Sequence, residues 1–303
     1  MSFGQNQPRN PGPNWGIDFI VWAEHWWPRW FFRPMLMIGT WVGLAFMPAQ
    51  RAHSREYLAI ALGRPPRLID VWRHFFAFTD FLVLKLRAAQ GAPVACNLQP
   101  GGGPAFDALL DSGRPALFGT FHFGGSDLLG YLLAERGRRV SIIRLRVGNS
   151  GDTRVLGRRY EDRVSFLWVN EPAEVPFAVK AAVERGESLA LQCDRLEFSA
   201  KNAAFYFLGA RRMFPIAIYY LSILFHQPVA FCIAIPAGEK AGEFSVYASP
   251  VFLPDPAASR DSNLQNGRVH FQTVLTRLDA LVRQYPFQWF NFIPLNPVAD
   301  DGQ

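Results

Sequence analysis

The chain has 303 residues, half of them apolar, so it can bury the core of one large α/β domain or of two small ones. A composition this rich in apolar residues excludes a largely disordered chain. The formal net charge is +6, and nine arginines stand against only three acidic residues between Arg136 and Arg163. No zinc-finger or RNP pattern accompanies this basic stretch, so nucleic acid is not an expected partner.

The N-terminal part differs in composition from the rest. Residues 1–14 are rich in Pro, Gly, Asn and Gln and are predicted to be flexible, whereas residues 15–90 are predicted to be helical. From Pro34 to Gln50 the chain carries no charge, and a tryptophan-rich stretch precedes this run. A spanning helix needs about twenty apolar residues, so the run predicts a membrane-associating segment that lies in one leaflet. A buried core helix is the alternative interpretation.

Residues 91–295 alternate short apolar runs with helical stretches. This alternation predicts an α/β fold with a mainly parallel mixed sheet flanked by helices. The predicted strands are Ala116–Phe121, Val140–Val147, Val164–Val169, Ser188–Cys193, Val229–Ile235 and Phe244–Ala248. Helices are predicted near Ser126–Arg136, Asp152–Glu161, Pro172–Arg185 and Phe214–Phe225, and a last one carries Phe271, Leu275, Leu278 and Val282 on one face. Chemistry is expected in the loops that follow the strands.

A histidine directly follows the first strong strand, in the stretch Leu117-Phe-Gly-Thr-Phe-His122-Phe-Gly-Gly-Ser-Asp127. The two glycines let the backbone turn tightly, so the carboxylate of Asp127 can fold back onto the imidazole of His122. Held in this way, His122 keeps one ring nitrogen free as a proton acceptor. The alternative is an ordinary strand-end histidine with Asp127 as a helix N-cap. The nearby Ser126 lacks the second glycine of G-x-S-x-G, which disfavours a serine hydrolase.

The pattern His122-x4-Asp127 after an apolar strand resembles the H-x4-D/E signature of the lysophospholipid acyltransferase superfamily. The surroundings are most similar to the branch of the bacterial lipid A late acyltransferases and related predicted glycolipid acyltransferases. Four further blocks follow in the order of that branch and complete the resemblance over roughly residues 110–292. They are Ile142-Ile-Arg144-Leu-Arg146, Arg185-Gly-Glu-Ser-Leu-Ala-Leu-Gln-Cys-Asp194, Phe205-Tyr-Phe-Leu-Gly209 and Tyr285-Pro-Phe-Gln-Trp289-Phe-Asn291-Phe.

The resemblance implies an acyltransferase at the cytoplasmic face of the cell inner membrane. It would move an acyl group from acyl carrier protein or coenzyme A thioester to a hydroxyl, or an amine, of a lipid or glycolipid acceptor. No cofactor and no metal would be needed. His122 would be the general base and Asp127 its partner. The expected substrate-binding groups are Arg144, Arg146 and the backbone amides beside Gly124 and Gly125 for the oxyanion, with Asp194 and Arg195 for the acceptor pocket.

Departures from the branch leave the acceptor open. Lipid A enzymes usually place arginines just after the final tryptophan, whereas this chain continues Phe290-Asn-Phe-Ile-Pro294. Arg211 and Arg212 are either contacts for a phosphate or for carrier-protein carboxylates, or solvated surface. The alternative functions are a membrane-associated lipid-binding homologue that has lost catalysis and a soluble α/β hydrolase.

Overall fold

The computed structural model of the chain describes residues 19–20, 22–23, 26–98, 103–146, 160–171, 173–196, 199–237 and 242–299. The segment 1–14, predicted to be flexible, and most of the predicted helix Asp152–Glu161 lie outside these ranges. The helices are α1 (Arg29–Phe46), α2 (Pro48–Leu62), α3 (Leu68–Ala89), α4 (Gly103–Asp111), α5 (Leu129–Glu135), α6 (Val175–Glu184), α7 (Ala217–Phe225) and α8 (Arg260–Gln284). A short 3-10 turn, Ser126–Leu128, precedes α5.

The strands are β1 (Ala95–Leu98), β2 (Leu117–Thr120), β3 (Val140–Arg144), β4 (Val164–Trp168), β5 (Ser188–Gln192), β6 (Asn202–Phe207), β7 (Ala210–Pro215), β8 (Val229–Pro236) and β9 (Glu243–Ala248). Seven of them form one sheet in the order β1-β9-β8-β2-β5-β3-β4. Every pair in it is parallel except β8 with β9. The prediction of an α/β fold with a mainly parallel mixed sheet is thereby confirmed.

The sheet is buried on both faces. One face packs against a core that includes the fully buried Phe271, Leu275, Leu278 and Val282 of α8, as their helical spacing predicts. The other face packs against α4 and α5 through a second cluster around Phe118 and Phe106. Burial on both faces explains why the central strands are continuous apolar runs that sequence reading finds easily.

Helices α2 and α3 belong to the core of the α/β unit. Tyr57 and Leu58 of α2 and Val71 and Phe75 of α3 lie in the same buried cluster as the residues of β2 and β5. Asp70 stabilises the start of α3, because its carboxylate accepts a hydrogen bond from the Arg67 amide at 2.8 Å. The predicted membrane-associating segment 15–90 therefore contains two helices that are buried against the sheet domain.

Helix α1 is the part of this segment that keeps an apolar outer surface. Its inner face, with Phe32, Leu36 and Leu44, packs towards α3 and the core. Large apolar side chains on its other faces are exposed, namely Trp30, Phe31, Met37, Ile38, Trp41, Val42 and Phe46. Among the described residues no single helix is long and apolar enough to cross a membrane, although α1 and α2 together, bent by 99°, reach the necessary length and composition.

One element was not foreseen. The segment Phe205–Gly209 forms the end of β6 and the turn into β7, and the two strands form a separate antiparallel hairpin. Leu208 and Gly209 in this turn both have positive φ, 50° and 78°. Two successive left-handed residues are what a tight two-residue hairpin requires. The predicted helix Phe214–Phe225 accordingly starts later, at Ala217.

Candidate active site

The candidate active site lies at the carboxyl ends of β2, β5 and β3, which are neighbours in the sheet. His122 stands two residues beyond the end of β2, between the buried Phe121 and Phe123. Its carbonyl accepts a hydrogen bond from the Phe290 amide at 2.8 Å, and Phe123 pairs with Trp289 as an isolated bridge. The backbone of His122 is therefore fixed on both sides, while its side chain stays about one quarter exposed, at 23%.

Asp194 is the side chain that holds His122. In the register of β2 with β5, Thr120 lies opposite Gln192, so the residues two positions further along each strand meet. Asp194 Oδ1 lies 2.8 Å from His122 Nδ1. Its Oδ2 accepts hydrogen bonds from the His122 amide and from Trp289 Nε1, both at 2.9 Å. The carboxylate is almost fully buried, so each of these bonds is shielded from water.

These contacts fix the protonation of the pair. Burial alone would raise the pKa of Asp194, but His122, Arg195 and the Trp289 hydrogen bond hold that pKa at about 2. Asp194 is therefore ionised at neutral pH and can only accept, which requires Nδ1 of His122 to carry the hydrogen. Arg195 Nε also lies 3.2 Å from Nδ1, but a protonated Nδ1 cannot accept, so this contact is electrostatic only. In the neutral imidazole the lone pair is then on His122 Nε2, and no described residue hydrogen-bonds to that atom.

The predicted contact between Asp127 and His122 is wrong. Asp127 lies in the 3-10 turn after His122 and is bonded to Lys85 of α3, whose side chain is buried. Burial would raise the pKa of Asp127, but Lys85 and Arg144 outweigh it and hold this pKa well below the usual range. The turn directs the carboxylate towards α3 rather than back along β2. Asp194 thus takes the position predicted for Asp127, and not that of an acceptor-pocket residue.

The amides beside Gly124 and Gly125 do not provide the predicted oxyanion site. The Gly124 amide donates to the Gln288 carbonyl at 2.8 Å, and the Gly125 amide donates to the Ala234 carbonyl at 3.1 Å. The glycines serve close packing instead. A Cβ on Gly124, which has φ of +52°, would lie 2.1 Å from the Ala234 carbonyl oxygen.

The predicted arginines lie in different places relative to the His122–Asp194 pair. Arg144 ends β3 and is close enough to lower the pKa of Asp127. Arg146 is turned to the rim, where it forms an ion pair with Glu171 at 3.2 Å and lies over the ring of Trp168. Arg195 lies beside His122 and donates to the Phe290 carbonyl at 3.2 Å. Arg195 is therefore the predicted arginine placed to meet a negative charge that develops next to His122, whereas Arg144 lies near the turn after it.

Among the residues that the structure describes, none is an activated serine or cysteine beside His122. The hydroxyl of Ser126 is buried and accepts a hydrogen bond from the Ala234 amide at 3.0 Å. Burial also raises the pKa of the neighbouring Cys193 thiol, which keeps it protonated. Among the described residues, no three or more His, Cys, Asp and Glu side chains are grouped so as to hold a metal ion. The arrangement suits a base that acts directly on a substrate hydroxyl or amine.

Sequence reasoning missed Lys85, His74 and Trp289 as parts of the site. Lys85 and His74 lie inside the apolar helix α3, and both side chains are buried. A basic or titratable side chain inside such a helix needs a polar partner, and this was the signal that could have identified them. Arg138, at the opposite edge of the sheet, donates to the carbonyls of Leu109, Leu110 and Arg114 and is structural.

Comparisons with known proteins add little to this description. No protein-family model matches the chain, and no curated protein matches it. Among solved structures, the chain is similar to the 1-acyl-sn-glycerophosphate (LPA) acyltransferase PlsC from Thermotoga maritima, at 13% identity. The match covers 84% of this chain and 98% of that chain, with a TM-score of 0.38. A likeness at this TM-score assigns neither family nor activity.

Proposed function

We propose that the chain is an acyltransferase in which His122 is the general base. The observation that carries the proposal is the hydrogen bond from His122 Nδ1 to the buried, ionised Asp194, which leaves Nε2 free at the carboxyl edge of the sheet. The ordered blocks that resemble the lysophospholipid acyltransferase superfamily supply the reaction class. The acceptor is a hydroxyl or an amine, and the donor is a thioester of coenzyme A or of acyl carrier protein.

In the proposed reaction, Nε2 takes the proton of the acceptor as its oxygen or nitrogen attacks the thioester carbonyl. The C–S bond breaks after the new bond to carbon has formed, and the proton passes from His122 to the departing thiolate. Asp194 stabilises the imidazolium between these two steps. Arg195, beside the His122 ring, and Arg144, near the following turn, are the cations that we assign to the oxyanion, since the glycine amides are already used.

A lipid or glycolipid acceptor at the cytoplasmic face of the inner membrane is part of the proposal. Its support is the outer surface of α1, where Trp30, Ile38 and Phe46 are largely exposed. Apolar side chains of this size, flanked by arginines, favour a position at the lipid headgroup boundary. Helices α2 and α3, which bind the sheet domain directly, would keep the site close to that surface.

The test is a transfer assay with the purified full-length chain in detergent. Acyl-coenzyme A or acyl carrier protein thioester is supplied with a total membrane lipid extract, and thiol release and acylated lipid are measured together by absorbance and mass spectrometry. We expect one acylated lipid per thiol released, and a loss of about a hundredfold or more in His122→Ala. Thiol release that does not need an acceptor would identify a thioesterase and contradict the proposal, as would full transfer by His122→Ala.

A further inference from the structure

We propose that Trp289, His74 and Ser54 act as a positioning chain for Asp194, so that the N-terminal helices set the orientation of the catalytic base. This inference rests on the proposed function for its kinetic part. Trp289 hydrogen-bonds to Asp194 through its indole. His74 hydrogen-bonds to the Trp289 carbonyl, and Ser54 hydrogen-bonds to His74. Among the described hydrogen bonds, none joins the side chain of one of these three residues to His122, so they act through Asp194 and are positioning residues.

The first link is the indole of Trp289. Its Nε1 donates to Asp194 Oδ2 at 2.9 Å, on the opposite oxygen from the one that binds the His122 ring. The ring is 2% exposed and is held edge-on between Tyr57 of α2 and Phe207 of β6. Because a carboxylate can rotate about its Cβ–Cγ bond, a fixed donor on the second oxygen determines where the first one lies. The His122 amide donates to the same Oδ2 at 2.9 Å, so the indole of Trp289 and this amide together set the direction of the bond to the His122 ring.

The second link is His74 of α3, which is completely buried. Its Nε2 lies 2.8 Å from the Trp289 carbonyl, and its Nδ1 lies 2.8 Å from the Ser54 hydroxyl. A carbonyl can only accept, so Nε2 must carry the hydrogen, and Nδ1 then accepts from Ser54. Burial lowers the pKa of His74 to about 4, which keeps the ring neutral and in this tautomer at neutral pH.

The three residues form a chain of hydrogen bonds from α2 to Asp194. Ser54 lies on α2, His74 on α3 and Trp289 in the segment after α8, and the Tyr57 hydroxyl ties the same segment by donating to the Pro286 carbonyl at 2.6 Å. A purely space-filling core has no need for a histidine that is bonded at both ring nitrogens. The specific hydrogen bonds are what an orienting device requires.

The direct test follows the Nδ1 proton of His122 by NMR, in the full chain labelled with nitrogen-15, and identifies it by its loss in His122→Ala. We expect Trp289→Phe to speed exchange of this proton with water by roughly tenfold. This factor corresponds to the free energy of one hydrogen bond to a charged carboxylate. The matched control is Trp72→Phe, because Trp72 Nε1 is buried without a hydrogen-bond partner among the described residues. The control removes the same atoms and leaves the Asp194 contacts intact.

A second set of variants changes His74, so that the positioning chain can still be tested if Trp289→Phe folds poorly. His74→Phe removes the donor to the Trp289 carbonyl, whereas His74→Gln places an amide N–H near the position of Nε2. We expect faster proton exchange in His74→Phe and recovery towards wild type in His74→Gln. Equal behaviour of these two variants would overturn the role of His74.

Turnover separates this inference from the proposed function. With acyl transfer as the assay, Trp289→Phe should lower kcat by roughly tenfold and leave KM nearly unchanged, since the substrate is not touched. Proton exchange in Trp289→Phe equal to that in Trp72→Phe would overturn the positioning chain. If exchange accelerates while the wild-type chain transfers no acyl group, the positioning chain stands and the proposed function fails.

Discussion

Asp194 Oδ1 lies 2.8 Å from His122 Nδ1, although the two residues are 72 positions apart in the chain. The contact exists because β2 and β5 are neighbours in the sheet and end at the same level. The sequence places Asp127 five residues from His122, but the Asp127 carboxylate forms an ion pair with Lys85. The two acidic residues therefore have separable roles, one in orienting the base and one in fixing the turn after it.

The first prediction concerns catalysis by these two carboxylates. Asp194→Asn should lower kcat for acyl transfer by about a hundredfold or more, because the amide no longer selects the tautomer of His122 or stabilises its charged form. Asp127→Asn should lower kcat less, since Asp127 is not bonded to the ring. Steady-state assays on both purified variants measure the difference. A larger loss of kcat in Asp127→Asn than in Asp194→Asn would show that Asp127 is the partner of His122, as the His122-x4-Asp127 spacing predicts.

The second prediction concerns the stability of the Lys85–Asp127 pair. Asp127→Asn should lower the free energy of unfolding by about 3 kcal/mol, because it removes the carboxylate charge of an ion pair whose lysine is buried. The double variant Lys85→Met, Asp127→Asn should recover much of this loss. Chemical denaturation of the two single variants and the double variant gives the coupling energy. Additive losses would mean that the pair is not coupled.

The strands that position the site were predictable because they are buried on both faces. In β2, β3, β5 and β8 the apolar run and the strand coincide within a few residues, and His122 was recognised at the end of β2. The partner of His122 was not predictable, since spacing along the chain does not reveal that β5 lies beside β2. Helix α3 lies in the segment 15–90 that was predicted to be helical, but the role of its polar residues depends on Trp289 and Asp127, which come from elsewhere in the fold.

The third prediction concerns acid stability. The pKa of His74 is about 4 in the folded chain because of burial, against an ordinary 6.5. As the pH falls, His74 therefore takes up a proton in the unfolded chain before it does so in the folded chain. The free energy of unfolding falls between pH 6.5 and 4, by about 3 kcal/mol for this residue. His74→Gln should flatten this part of the profile of unfolding free energy against pH. Some slope should remain, since burial also lowers the pKa of His270. An unchanged slope would contradict the buried neutral state of His74.

The fourth prediction concerns the turn that follows His122. Gly124→Ala should lower the free energy of unfolding by about 3 kcal/mol or more, because its Cβ would overlap the Ala234 carbonyl and its φ is positive. Gly113→Ala is the matched control. Gly113 has φ of +64° with nothing near the added Cβ, so we expect a loss of only about 1 kcal/mol. Thermal unfolding of the two variants compares them, and equal losses would exclude the steric explanation.

The fifth prediction concerns the exposed surface of α1. Ile38→Glu should weaken recovery of the protein with lipid vesicles by roughly thirtyfold, because burial of one such side chain contributes about 2 kcal/mol. Leu224→Glu, on the similarly exposed surface of α7, is the control and should leave recovery unchanged. Sedimentation with vesicles at high salt measures both variants, and thermal unfolding confirms that each is folded. Equal recovery of Ile38→Glu and wild type would show that α1 does not enter lipid.

The segment from Pro286 to Phe290 runs between α2 and α3 on one side and the His122 loop on the other, and it hydrogen-bonds to both. A ribosome makes this segment after all the helices and strands described above, since α8 ends at Gln284. A nascent protein that has been made as far as α7 already contains β2, β5 and both residues of the His122–Asp194 pair, but it lacks the tryptophan that holds the carboxylate. Assembly of a working site must therefore wait until the ribosome has made Trp289, and products truncated before it carry the base without its orientation.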